Sequence, residues 1–295
     1  QFCCAEIEKR SDDASSARII ANIICRKDVS ILRLGFIGCG NMATAILGGV
    51  LKKELLRPDE IIASALHQTT LDRVKETYHI HTTADNTQAA QADIVILAVK
   101  PQFYEQVITE IRDTVSGSQI IVSIAPGKSI ETITRWFGKS IKLIRTMPNT
   151  PAMVGEGVTA VCPSEHVTDA QLKEVLALFE SCGITEIMPE RLIDAVPAIS
   201  GSSPAYVFMF IEALADGAVR DGIPRQQAYR LAAQAVLGSA KMVLETGRHP
   251  GDLKDMVCSP GGTTIEAVAA LEKEGFRNAV LAGMKACSDK TKEMR

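Results

Sequence analysis

The stretch that most narrows what this chain can become is Leu34-Gly35-Phe36-Ile37-Gly38-Cys39-Gly40-Asn41-Met42-Ala43. An apolar run from Ile31 to Ile37 ends in Gly38-x-Gly40-x-x-Ala43, and an amphipathic stretch from Ala43 to Leu56 follows at once. Strand, glycine turn and helix in that order is the setting in which a dinucleotide-binding fingerprint has physical meaning. Gly38 lets the chain turn sharply out of the strand. Gly40 has no Cβ, so a pyrophosphate can approach the backbone. The N–H groups of the helix's first turn then face that anion. Ala43 is small enough for close packing of helix on strand. Without a ligand the same pattern is a tight strand-to-helix turn.

Beyond that turn, strand and helix patterns alternate. Strands are expected at 61–65, 80–82, 93–99, 119–124, 141–145, 158–162 and 185–188. Helices are expected at 69–78, from the cap Asp85 to Ala90, from Pro101 to about Asp113, from the cap Ser129 to Phe137, and from the cap Thr168 to Ser181. The run Asp93-Ile94-Val95-Ile96-Leu97-Ala98-Val99 is the kind buried on both faces of a sheet. Repeated βα units predict an α/β, Rossmann-type doubly wound parallel sheet over residues 31–189. After about Glu190 the strand signals stop. A short helix at 194–198 precedes long ones opening at Ser203-Pro204 and Pro224, then helices from Pro250 to Val257, Thr263 to Glu274 and Phe276 onward. Residues 190–295 therefore read as an all-α domain. Residues 1–30 mix charged and apolar residues without a period and read as a poorly ordered extension. Its Ile19–Ile24 run is too short to span a membrane, and Glu6, Glu8, Asp12 and Asp13 speak against a transit peptide.

Composition removes some classes of function. The net charge of -3 comes with no sustained basic stretch, so nucleic acid is not expected as a partner. No apolar run is expected to approach the roughly 18 to 20 residues of a membrane span. The 8 cysteines include no C-x-x-C, and no secretory signal is expected, which predicts reduced thiols and a cytoplasmic location. Cys39 reads as a small turn residue, with a regulatory thiol as the lesser alternative because helix N-termini lower thiol pKa. His79 and His81 would share a strand face without an obvious third ligand, so no metal is expected.

The end of the second strand bears on the cofactor. NAD-binding folds tend to place an acid there, on the ribose 2′-hydroxyl. Here the strand runs into Ser64-Ala65-Leu66-His67-Gln68, with no carboxylate. Ser64 and His67 could donate to a 2′-phosphate, which favours NADPH and leaves NADH as an alternative. Ala98-Val99-Lys100-Pro101 follows the most apolar strand, where ligands of open α/β sheets sit. Lys100 is placed to reach ribose or nicotinamide; the plainer reading is a snorkelling surface lysine. In Met147-Pro148-Asn149-Thr150-Pro151 the prolines hold Asn149 in place, as a cofactor contact or as part of a structural loop. The candidate cofactor contacts are thus Gly38, Gly40, Asn41, Met42, Ser64, Asn86, Ala98, Val99, Lys100, Pro101 and Asn149.

A second glycine turn, Ser259-Pro260-Gly261-Gly262-Thr263-Thr264, opens a helix in the C-terminal half. Backbone N–H groups at such a start make an anion pocket, and a carboxylate is its natural small guest. Gly261, Gly262, Thr263 and Thr264 are the candidate substrate contacts, with Thr264 as the candidate catalytic residue. An ordinary capped helix start is the plainer alternative.

In these motifs the chain from about Ile31 to Glu293 resembles the pyrroline-5-carboxylate reductase family. The resemblance is carried by Gly35 to Met42, Ala98 to Pro101, Met147 to Pro151, Ser200-Gly201-Ser202-Ser203-Pro204-Ala205-Tyr206, His249-Pro250, Leu253-Lys254-Asp255 and Ser259 to Thr264. It implies NAD(P)H-dependent reduction of 1-pyrroline-5-carboxylate to L-proline, the last step of proline synthesis. It also implies that the helical region is a dimerisation domain forming an interleaved homodimer, often assembled further into a decamer. Amides around Gly261, Gly262 and Thr263 would hold the substrate carboxylate, and Thr264 would bond the ring nitrogen. Ser203 stands where the family usually has Gly, and Met256 and Cys258 where polar residues are common, so Met256 is given no substrate contact. A β-hydroxyacid dehydrogenase would share the architecture but needs a lysine base on the long interdomain helix, and Pro204 to Val219 contains none. A non-catalytic NADP-binding sensor is the rival of another class.

Overall fold

A computed structural model describes residues 33–293. The expected extension at 1–30, and Ile31 in the first apolar run, lie outside them. The chain divides into two compact units, one running to Val196 together with the chain end from Thr291, the other from Pro197 to Lys290.

In the first unit, eight strands form one sheet in the order β3-β2-β1-β4-β5-β6-β7-β8. They are β1 (Leu34–Ile37), β2 (Ile61–Ser64), β3 (His81–Thr83), β4 (Ile94–Leu97), β5 (Ile120–Ser123), β6 (Lys142–Met147), β7 (Gly157–Pro163) and β8 (Gly183–Ile187). Between them run α1 (Asn41–Lys52), α2 (Gln68–Tyr78), α3 (Asn86–Ala89), α4 (Tyr104–Ile111), α5 (Ile130–Phe137) and α6 (Asp169–Glu180), with α7 (Glu190–Ile193) after the last strand. The central strands are apolar throughout because both faces are covered. On β4, Ile94 and Ile96 join α1, α2 and α6 in one core layer, while Val95 and Leu97 join α4 and α5 in the other. A strand's period of two thus feeds both layers.

β1 to β6 pair in parallel, as expected. The doubly wound parallel sheet is present with one departure: β7 pairs antiparallel with β6, with Arg145 opposite Cys162. Parallel pairing needs a crossover of about a dozen residues or more. The segment 148–156 carries only a 3₁₀ turn at Thr150–Val154, so the chain returns directly beside β6. α6 then supplies a full crossover, and β7 and β8 are parallel again.

Helix starts follow side-chain chemistry. Asp85 accepts from the Thr87 N–H at 2.9 Å, Ser129 from the Thr132 N–H at 3.0 Å and Thr168 from the Gln171 N–H at 3.3 Å. His79 ends α2 with φ +57°, so it does not share a strand face with His81; pairing begins at His81, while Ile80 is buried.

The second unit is helical: α8 (Ser203–Arg220), α9 (Arg225–Thr246), α10 (Pro250–Val257), α11 (Thr263–Lys273) and α12 (Phe276–Glu293). Where a helix was expected at 194–198, α7 ends at Ile193 and a π turn spans Pro197–Gly201. Pro204 sits in the first turn of α8, where its missing N–H has no helical partner to lose. Gly247 closes α9 at φ +61°. α8 and α9 bury only Ala215, Ala228 and Ala232, and α11 buries nothing. Phe208 and Leu281 are 65% exposed and Leu244 75%. By length and hydropathy alone the stretch Glu190–Arg220 could cross a membrane, which corrects the expectation that no apolar stretch approaches that size.

Candidate functional site

The first glycine turn is shaped by its neighbours as much as by any ligand. Gly38 has φ +92°, and a Cβ there would stand 2.8 Å from the Ala98 carbonyl and the Val99 nitrogen. The turns after β1 and β4 therefore lie in contact, and only glycine fits between them. The Gly38 N–H donates to the Ser64 carbonyl at 2.9 Å and the Ala98 N–H to the Ile37 carbonyl at 2.8 Å, so three strand ends are tied together. Gly40 differs. It caps α1 with ordinary extended angles, and a Cβ would meet nothing within 4 Å. No side chain caps α1, which leaves its first amides for an anion. Asn41 is exposed, Met42 packs partly against the core, and Ala43 is buried against the strands. Burial pushes the Cys39 thiol up to about 11, against a smaller lowering by Arg73. It stays protonated at neutral pH, so burial outweighs the helix start for this cysteine.

At the end of β2, Ser64 is fully buried. Its hydroxyl donates to Asn86 Oδ1 at 2.7 Å, with the Phe36 carbonyl 3.3 Å away. Asn86 in turn donates through Nδ2 to Glu110 Oε2 at 2.9 Å. The sequence cast Ser64 as a phosphate donor; the structure engages its hydroxyl inside the protein instead. His67 is exposed at the start of α2 and makes no capping bond. Arg73, which the sequence reading passed over, reaches the Cys39 carbonyl with Nη2 at 3.5 Å.

Ala98 and Val99 are half-buried, Lys100 is exposed, and Pro101 opens a 3₁₀ turn. Tyr104 lies behind this segment, fully buried, and its hydroxyl donates to the Leu97 carbonyl at 2.5 Å. Burial raises the Tyr104 pKa, so it is a fixed neutral strut. Asn149 is buried and accepts from the Val158 N–H at 2.9 Å, which fastens its loop to β7. Arg145, also unforeseen, is buried on β6 and pairs with Glu190 at 3.1 Å and Asp194 at 2.5 Å. Glu190 also accepts from the Ile130 N–H at 2.7 Å, so α7 is tied to β6 and to the start of α5. An isolated buried guanidinium is costly, and these carboxylates compensate it.

The second glycine turn lies in the helical unit. The Gly262 N–H donates to the Ser259 carbonyl at 3.0 Å, and Gly261 takes φ +65°. Gly262 is the N-cap of α11 and no side chain caps that helix. A Cβ on Gly262 would fall 2.4 Å from Ser259 Oγ. Thr263 is exposed and Thr264 half-buried, and among the described residues neither hydroxyl has a protein partner. His249 Nδ1 accepts from the Gly251 N–H at 3.0 Å at the start of α10. Met256 is exposed, beside Arg248. Ser203 Oγ donates to the Ile199 carbonyl at 2.6 Å, so this hydroxyl is absorbed by the preceding turn.

A cavity of about 720 Å³, lined by Lys52, Leu55, Arg57, Pro58, Thr77 and Tyr78 among others, lies beyond the C-terminal end of α1. That is the opposite end of α1 from Gly40, whereas ligands of such sheets sit outside the carboxyl ends of the strands. The lining of this cavity includes neither glycine turn.

Residues 190–294 match the family model for pyrroline-5-carboxylate reductase dimerisation, and residues 33–127 the model for NADP oxidoreductase, coenzyme F420-dependent. The chain is 48% identical over 263 residues to the pyrroline-5-carboxylate reductase of Escherichia coli (strain K12), covering 89% of this chain and 98% of that one. A pyrroline-5-carboxylate reductase structure from Coxiella burnetii superposes with a TM-score of 0.83 at 36% identity, covering 89% of this chain and 98% of the other. The Plasmodium falciparum pyrroline carboxylate reductase with NADP bound gives 0.81 at 32% identity, covering 90% and 99%.

Proposed function

The chain belongs to the pyrroline-5-carboxylate reductase family, and from that premise we propose how its residues divide the reaction. It reduces 1-pyrroline-5-carboxylate to L-proline with NAD(P)H, the last step of proline synthesis. The observation that carries the division of labour is a pair of helices that open behind a glycine N-cap, α1 behind Gly40 and α11 behind Gly262, neither start being capped by a side chain. Each start offers free amides and the positive end of a helix dipole.

The residues of the first turn fit a dinucleotide. The space at Gly40 admits a pyrophosphate close to the backbone, and the amides of Asn41 and Met42 would bond it. Ala98 to Pro101 and Asn149, braced by Tyr104 and β7, would bound the ribose and nicotinamide. When bound, the cofactor supplies the hydride.

The second turn fits the substrate. The amides of Gly261, Gly262 and Thr263 take the carboxylate beside the imine. Thr264 Oγ1 accepts a hydrogen bond from the protonated ring nitrogen. That contact favours the iminium, whose adjacent carbon is the more electrophilic; hydride adds to that carbon, the C=N π pair moves onto nitrogen, and the product ring nitrogen is a neutral secondary amine. Positioning supplies most of the acceleration, since no protein group needs to gain or lose a covalent bond.

The reading extends to assembly and setting. The matched dimerisation region and the exposed apolar surface of α8, α9 and α12 support a homodimer through the helical unit, with a decamer as the further assembly. A partner chain accounts for the apolar character of 190–220 better than a lipid bilayer, because α8 also bears Glu212 and Asp216. The reading includes NADPH preferred over NADH, no nucleic-acid or membrane partner and a cytoplasmic location. The test is a steady-state assay of NADPH and NADH oxidation with 1-pyrroline-5-carboxylate. Turnover with both and a higher kcat/KM for NADPH is expected; tight NADPH binding without turnover would favour a sensor.

A further inference from the structure

The question left by the burial of Ser64 is which side chain recognises the 2′-phosphate, and the answer rests on the cofactor reading above. We propose that Arg73 on α2 takes the 2′-phosphate of NADP and sets the preference for the phosphorylated cofactor. The ribose 2′-position of a bound dinucleotide falls outside the carboxyl end of β2. There the Ser64 hydroxyl is engaged with Asn86 beneath the surface. The loop Ala65–His67 brings no carboxylate that would repel a phosphate.

Arg73 is the cation that the structure brings to this place. Its Nη2 lies 3.5 Å from the carbonyl of Cys39, the residue between the two glycines of the turn. The side chain thus bridges from α2 to the mouth of the first glycine turn. It is exposed, and among the described residues no carboxylate lies within ion-pair distance of it. The acid next to it in sequence, Asp72, accepts from Gln68 Nε2 at 2.8 Å. A guanidinium has five N–H donors in a planar fork. One bond to a carbonyl leaves the rest of the fork for a bidentate bond to phosphate oxygens, the strong form of this contact. His67, exposed at the start of the same helix, is a secondary donor.

Two roles for Arg73 have to be separated: recognition of the phosphate, and mere bracing of the Cys39 carbonyl. Calorimetric titration of the full-length protein with NADP+, NAD+ and 2′,5′-ADP separates them, because only two of these ligands carry the phosphate. R73Q is expected to weaken NADP+ and 2′,5′-ADP by about tenfold to a hundredfold, the range for losing a charge-assisted hydrogen bond. NAD+ binding should be unchanged, and R73K should recover part of the loss. A matching thermal transition for wild type and R73Q confirms that the fold is intact. Equal weakening of NADP+ and NAD+ would assign Arg73 to bracing and overturn the proposal, as would unchanged NADP+ binding. A wild-type protein that binds no dinucleotide would overturn the cofactor reading itself, a result distinct from either.

Discussion

The two units of this chain solve the same problem in opposite ways. The first places Phe36, Ile46, Ile96, Leu97, Ile108 and Phe179 wholly out of solvent, on both faces of one sheet. The second is no less apolar, yet its buried hydrophobic side chains are chiefly alanines, while Phe208, Met209, Leu231, Leu244 and Leu281 stand exposed. A sheet covered by helices on both sides closes its own core. A set of long helices with apolar residues on several faces is one part of a core, to be completed by another chain. The lesson concerns how apolar content is read: the same composition marks self-sufficiency in one unit and an interface in the other.

The hardest way to break this comparison is to place charge on the exposed apolar surface. Phe208→Asp with Leu281→Asp is expected to convert the oligomer to monomer in light scattering and to abolish most turnover. An unchanged mass would mean those faces are not the interface. A milder pair sharpens it. Ile96→Ala should destabilise the protein by about 2–5 kcal/mol, as for other buried large-to-small changes. Its unfolding midpoint should shift equally at every protein concentration. Leu281→Ala should shift the midpoint more at low concentration than at high, because association contributes to its stability. Identical behaviour of the two in denaturant titrations would erase the distinction.

Smaller effects separate the two glycines of the first turn. Gly38→Ala meets backbone at 2.8 Å in a left-handed conformation, and should lower stability by about 1–3 kcal/mol or more. Gly40→Ala meets open space, so its thermal transition should stay near wild type while its NADPH affinity falls. Equal loss of stability in both would mean that Gly40, too, is constrained by the protein. The least effect is expected at a cap: Thr168→Ala should cost about 1 kcal/mol, measured in the same titrations.

Much of the fold was legible because it rests on local rules. Continuous apolar runs marked the buried strands, and Asp85, Ser129 and Thr168 marked helix starts whose capping bonds are present. The reversal of β7 was less visible, since it depends on a short 3₁₀ connection that periodicity does not count. At the candidate site, glycines and threonines could be read from the turns they make. Tyr104, Arg145 and Arg73 could not, because each acts on a backbone or carboxylate distant in sequence, such as Cys39 for Arg73. Ser64 shows the converse: the right residue type at a strand end, but buried and bonded to Asn86. The one sequence signal pointing toward Arg73 was a basic residue on the helix that follows the acid-free strand end.

The central claim is that an uncapped helix start in the helical unit holds the substrate while Thr264 acts on its ring nitrogen. The direct measurement is kcat/KM for 1-pyrroline-5-carboxylate with Thr264→Ala at saturating NADPH, beside the NADPH dissociation constant of the same variant. The account predicts a fall in kcat/KM of about tenfold to a thousandfold, the range for losing one transition-state hydrogen bond, with NADPH affinity unchanged. An unchanged kcat/KM would remove Thr264 from the mechanism and contradict the assignment of the second glycine turn.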